Sequence, residues 1–181
     1  MSDDIGEAGS RSLHVPAGKV LIVHWLINAY LMPDNPSDAE ESDNDELQTY
    51  WADPWPANAS VYWTFESAPG RPGAYYIRSQ PHKRYLGIRG NKAQADAVVT
   101  LRMNETNGKL WVPTPIAGMP DVPGRPLVRA LRLHGTNFAM ATARNVPNRD
   151  AEIHLDRAWD GEFTPFHAFS LIPASSVVTD P

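Results

Sequence analysis

The sequence predicts an all-β fold, a β-trefoil of twelve short strands in three pseudo-repeats. Three observations carry this. Seventeen prolines are spread along the 181 residues. Proline inside a helix removes a donor and clashes with the preceding turn, which argues against long helices. The apolar stretches are short and bounded by Gly, Pro, Asn and Asp, the chemistry of turns. The stretches also recur: Ile22, Ile77 and Leu131 mark three of them, 55 and 54 residues apart, the kind of internal period that signals repeated units.

Taken in order, the first unit covers about 18–67. It offers strands over 19–24, at Tyr30-Leu31, over 48–51, and at Tyr62-Trp63-Thr64-Phe65. The second unit, about 73–116, repeats the scheme around Ile77, at Tyr85-Leu86, at Val98-Val99-Thr100-Leu101 and at Leu110-Trp111-Val112. The third, about 127–173, has 128–133, Phe138-Ala139, Glu152-Ile153-His154-Leu155 and Phe166-His167-Ala168-Phe169. Each unit ends on a strand with an aromatic residue. Closing such strands into a barrel removes most exposed edges. A single domain over 14–173 is expected, with polar tails at 1–13 and 174–181. Residues 34–46 form an enlarged acidic loop in the first unit, of a composition that favours solvation over packing.

Composition narrows the function. Seven acids and no base lie within 34–46, so the rest of the chain sums to +2 against −5 overall. Nucleic-acid binding therefore has no electrostatic support. No apolar run approaches the roughly 20 residues a membrane helix needs. The acidic start Met1-Ser2-Asp3-Asp4 lacks the order of a secretory signal, and a cytoplasmic or unconventionally secreted protein is expected. Two sequons, Asn58-Ala59-Ser60 and Asn104-Glu105-Thr106, are read as chance. There are no cysteines, which excludes disulfides and thiol chemistry.

No catalytic motif emerges. The six histidines, His14, His24, His82, His134, His154 and His167, have no compact metal-ligand spacing. His24, His134, His154 and His167 sit in strand-like stretches and read as packing. Asp43-Asn44-Asp45-Glu46 lacks the glycine and spacing of a calcium loop. No catalytic, cofactor-binding or metal site is expected, and the chain reads as a non-enzyme. Trp25, Trp63 and Trp111 fall in strands. Trp51, Trp55 and Trp159 are either core packing or exposed stacking platforms for sugars.

The pattern Gly73, Tyr75, Tyr76, Ile77, then Tyr85-Leu86-Gly87-Ile88, then Leu110-Trp111-Val112 resembles the cysteine-free protease inhibitors of mushrooms, the mycocypins and related trefoil serine-protease inhibitors. It resembles the ricin-B-like lectins more weakly, because their Gln-x-Trp is absent. The resemblance spans about 18–173 and is a pattern of strands. The inhibitor group implies a rigid binding loop between the fifth and sixth strands. Here that loop carries Pro81, His82, Lys83 and Arg84. Lys83 or Arg84 would pair with a buried carboxylate in a trypsin-like pocket, with Pro81 stiffening the approach; the alternative is an ordinary basic turn. Arg71 and Arg125 precede proline and are weaker substrate mimics. The mycocypin cysteine-protease loops map to Ile27-Asn28 and to 53–57, where the Gly-Gly feature of those loops is missing. Three readings follow: a loop-mediated protease inhibitor, a carbohydrate-binding lectin, or a non-catalytic lectin-like subunit of an enzyme complex. The partner is accordingly a protease or another protein, or a glycan.

Overall fold

The computed structural model describes residues 15–33, 47–51, 61–102, 109–142, 151–157 and 163–176, with backbone alone at 33, 47–51 and 151. The acidic loop 34–46, both sequons, residues 53–57, Trp55, Trp159 and the tails other than 174–176 lie outside the described residues. Twelve strands run in order: β1 Val20–His24, β2 Ala29–Pro33, β3 Leu47–Trp51, β4 Tyr62–Ser67, β5 Tyr75–Ser79, β6 Tyr85–Ile88, β7 Val99–Arg102, β8 Leu110–Thr114, β9 Leu127–Leu133, β10 Phe138–Thr142, β11 Ala151–Arg157 and β12 Ala168–Pro173.

Six of them close a ring of antiparallel pairs, β1–β4–β5–β8–β9–β12 and back to β1. The other six pair as β2–β3, β6–β7 and β10–β11. Three registers recur around the ring: Val20 lies opposite Trp63, Tyr75 opposite Trp111, and Arg129 opposite Phe169. Each of these aromatics faces a second strand as well, where Trp63 meets Ser79, Trp111 meets Leu133 and Phe169 meets His24.

Burial explains the register. A one-residue slip would turn every inward side chain to solvent. Trp63, Trp111 and Phe169 are fully buried with Ile22, Ile77 and Leu131 in one core. The indole N–H groups need partners in a dry interior. Trp63 Nε1 donates to the Leu31 carbonyl at 3.0 Å, and Trp111 Nε1 donates to that of Leu86 at 3.3 Å. These bonds tie ring strands β4 and β8 to strands β2 and β6. The outlying strands meet one another too: Ala151 of β11 lies opposite Thr49 of β3, and Val98 bridges His154.

The chain departs from expectation at three points. Trp25 is not in a strand but in the turn 25–28, where it is 47% exposed, with Leu26 beside it at 48%. Phe166 and His167 belong to a 3-10 turn, Pro165–His167, and the final strand begins at Ala168. His134 lies in the turn after β9. In each case apolar or aromatic character continues past the strand end, so hydropathy alone does not register where the chain turns. The start of the expected C-terminal tail is also tied down: Ala174–Ser176 is a 3-10 turn, and the Ala174 N–H donates to the Lys19 carbonyl at 2.8 Å.

Candidate functional site

A cleft of about 380 Å³ opens between β5, β8 and the β9–β10 turn. Ile88 and Leu133 form its buried floor, and the half-buried Tyr76 and Leu110 line its walls. Arg71, Asn91, Lys109 and His134 stand on its rim. The rim is built on fixed backbone. The Lys109 N–H donates to Leu86 O at 2.9 Å, and the His134 N–H donates to Leu110 O at 2.9 Å. Gly135, at φ 74°, makes the turn that follows His134, a conformation costly to residues with a Cβ. The Thr136 hydroxyl is committed to this turn: it donates to Leu133 O at 2.9 Å and accepts from the Phe138 N–H at 3.1 Å. Arg71 sits in Pro69-Gly70-Arg71-Pro72-Gly73, where its N–H donates to Ala68 O at 3.2 Å and its carbonyl accepts from Ala74 N–H at 3.1 Å. Tyr76 is steadied from behind by an edge-to-face contact with Tyr85, 5.9 Å between centroids.

Concave, largely pre-formed sites with an apolar floor and a few placed polar groups are the usual form of small-ligand sites. Sequence reasoning passed over this one. In the sequence Arg71 reads only as a weak substrate mimic and His134 as a strand residue. The signal that could have found it is local: His134-Gly135 directly after an apolar strand is a turn motif.

The expected loop at 81–84 is a tight turn. The Lys83 N–H donates to Ser79 O at 3.0 Å and the Ser79 N–H donates to Arg84 O at 2.8 Å. Pro81 and Lys83 are exposed and His82 is half-buried. Arg84, at 5% exposed, points into the protein and not toward a partner. Lys83 takes φ 57°, a left-handed conformation, whereas a strand-like, substrate-mimicking segment is extended. Of Lys83 and Arg84, either of which the resemblance would send into a trypsin-like pocket, Lys83 is the exposed one. Of the sugar-platform tryptophans, Trp51 lies on β3 with its side chain outside the described residues, as are Trp55 and Trp159 entirely. The exposed indole among the described residues is Trp25.

A second polar cluster lies near Trp25, but it is closed. His24 is buried at the end of β1, stacked edge-to-face on Phe169 at 5.1 Å. Its Nε2 donates to the Phe166 carbonyl at 3.0 Å and also lies 3.3 Å from the Thr142 hydroxyl. Burial holds this imidazole below its ordinary value of 6.5, the Phe166 hydrogen bond opposes that, and His167 lowers it further. His167 is buried too; its Nδ1 accepts from the Thr164 N–H at 3.0 Å, and its Nε2 faces an Asp156 carboxylate oxygen at 3.6 Å. Among the described residues no group of three or more His, Cys, Asp or Glu could hold a metal ion. No helix among them is long and apolar enough to cross a membrane.

Comparison of the sequence with protein-family models and with curated proteins returns no match. The fold does have relatives among solved structures. The Rhizoctonia solani agglutinin superposes with a TM-score of 0.67 at 10% identity, covering 88% of this chain and 96% of that one. The Macrolepiota procera ricin B-like lectin, solved in complex with lactose, gives 0.63 at 14% identity over 88% and 98%. A designed threefold-symmetric protein, ThreeFoil, gives 0.67 at 11% identity over 86% and 98%. At these identities the likeness is one of fold: the chain is all-β, with the six-stranded barrel and added strands of β-trefoil proteins.

Proposed function

We propose that the chain is a carbohydrate-binding β-trefoil protein, a lectin in activity, and that the glycan sits in the cleft at Tyr76. The observation that carries this is the cleft itself. It pairs an aromatic wall with a rim of hydrogen-bonding side chains on fixed backbone, and a sugar ring presents both an apolar face and hydroxyls. An aromatic face covers the first and rim donors satisfy the second. That neighbours of the same fold include lectins adds support. On this reading the twelve strands are three copies of one four-strand unit, about 18–67, 73–116 and 127–173, within a domain over 14–173. The test is a glycan array probed with the purified chain, repeated with Tyr76→Ala. The reading expects array hits that weaken about tenfold in the variant; an array with no hits rejects it.

The inhibitor reading keeps one favouring observation, the exposed Lys83 at the turn between β5 and β6. Its left-handed backbone and the buried Arg84 weigh against a substrate-like mode. Assay against trypsin-like and papain-like enzymes decides it: no inhibition of either at micromolar concentration removes it.

A further inference from the structure

The charge on the cleft rim narrows what it can hold. Arg71, Lys109 and His134 line one cleft, and no carboxylate lines it among the described residues. None of the three is in an ion pair among those residues. Two other basic groups, by contrast, are paired. Arg78 faces Glu66 at 3.5 Å, and Arg129 is clamped by Asp121 at 2.6 Å. The excess acid of the chain lies in 34–46; what marks the rim is that Arg71, Lys109 and His134 share one cleft with no carboxylate among its described lining residues. An anion entering beside the Arg71 and Lys109 cations, where no carboxylate lines the cleft among the described residues, accepts charge-assisted hydrogen bonds from them. Arg71 and Lys109 are also held by their backbones before any ligand arrives, through the hydrogen bonds at 68–74 and the Lys109–Leu86 bond, so less ordering is lost on binding.

From this we infer that the cleft takes an acidic saccharide, with a sulfate ester or carboxylate held between Arg71, Lys109 and His134 and the sugar ring against Tyr76. The inference rests on the carbohydrate-binding reading and adds the class of sugar. Asn91, on the same rim, is left to contact a neutral hydroxyl.

The experiment is an array carrying the same oligosaccharides in neutral, carboxylated and sulfated forms, read at two salt concentrations. It uses the full chain and the double variant Arg71→Gln/Lys109→Gln. Both substitutions are at the rim, and a thermal melt checks that the variant folds as the parent does. The expected result is retention of the acidic forms over their neutral counterparts, weakened by salt and reduced at least about tenfold in the double variant. Neutral forms held as tightly as acidic ones, or acidic binding unchanged in the folded variant, overturns the inference and leaves the carbohydrate reading standing. No glycan of any kind bound by the parent chain overturns both.

Discussion

The cleft and the His24 cluster occupy matching places in the barrel wall and hold opposite contents. The backbone scheme is shared: the His134 N–H donates to Leu110 O and the Trp25 N–H to Ala168 O, each at 2.9 Å. Leu133 opposite Trp111 corresponds to His24 opposite Phe169. Yet the first place is an open cleft rimmed by Arg71, Lys109 and His134, while at the second the His24 ring is covered by the turn Pro165–His167 and bonded to the Phe166 carbonyl. One backbone arrangement can thus hold a binding site or a closed polar packing unit. Side chains near the turns decide which, and the ring strands leave both options open.

The largest expected effect breaks the closed side. His24→Ala removes a buried ring from Phe169 and leaves the Phe166 carbonyl without its donor, a loss of about 3 kcal/mol by denaturant unfolding. Glycan binding at the cleft should be unchanged in the protein that remains folded.

The pH dependence is the next test of that side. Because burial lowers the folded-state value of His24, the unfolded chain takes up the proton more readily. The stability that goes with neutral His24 is complete above the unfolded value near 6.5. It is lost as pH falls from there toward the depressed folded value, by at most about 1.4 kcal/mol per pH unit for one proton. His24→Leu places at this position the residue type found at Leu133, and its stability should fall less steeply below pH 6.5. Parallel profiles for parent and variant would show that His24 does not titrate with unfolding. Because His167 acts on His24, the difference between the two profiles reports the titration of His24 together with its coupling to His167.

A smaller effect lies on the open side. Trp111→Phe deletes the bond to Leu86 O, but that carbonyl keeps the Lys109 N–H. A loss of about 1 kcal/mol in unfolding free energy is expected. Smallest of all is Trp25→Ala. The indole is half exposed, so stability should change by no more than about 0.5 kcal/mol, with glycan binding intact. Loss of binding in this variant would move the site from the cleft to the 25–28 turn.

The strands were legible in the sequence because the inward positions repeat. Ile22, Ile77 and Leu131, with Trp63, Trp111 and Phe169, must all be apolar to fill one barrel core, and their spacing survives in the text. What the sequence hid was where strands stop. Trp25 continues the run Val20-Leu21-Ile22-Val23-His24, and its exposure follows from the turn at 25–28, which hydropathy does not encode. The cleft was hidden for a different reason. Arg71 and Tyr76 are near neighbours in sequence, but Lys109 and His134 are distant from them and join them only because β5, β8 and β9 are neighbours in the ring. The turn at 81–84 is marked in the sequence by its basic residues; that Arg84 is buried while Lys83 is exposed is a property of the folded turn that composition does not convey.

The central claim is that the cleft, and not the Trp25 turn or the Lys83 turn, binds the glycan. Backbone NMR of the labelled chain, titrated with an acidic oligosaccharide, tests this most directly. The account predicts shift changes at Tyr76, Asn91, Lys109 and His134, with the signals of Trp25 and Lys83 unmoved. Shifts confined to 25–28 or 81–84, with the cleft signals fixed at saturation, would contradict it.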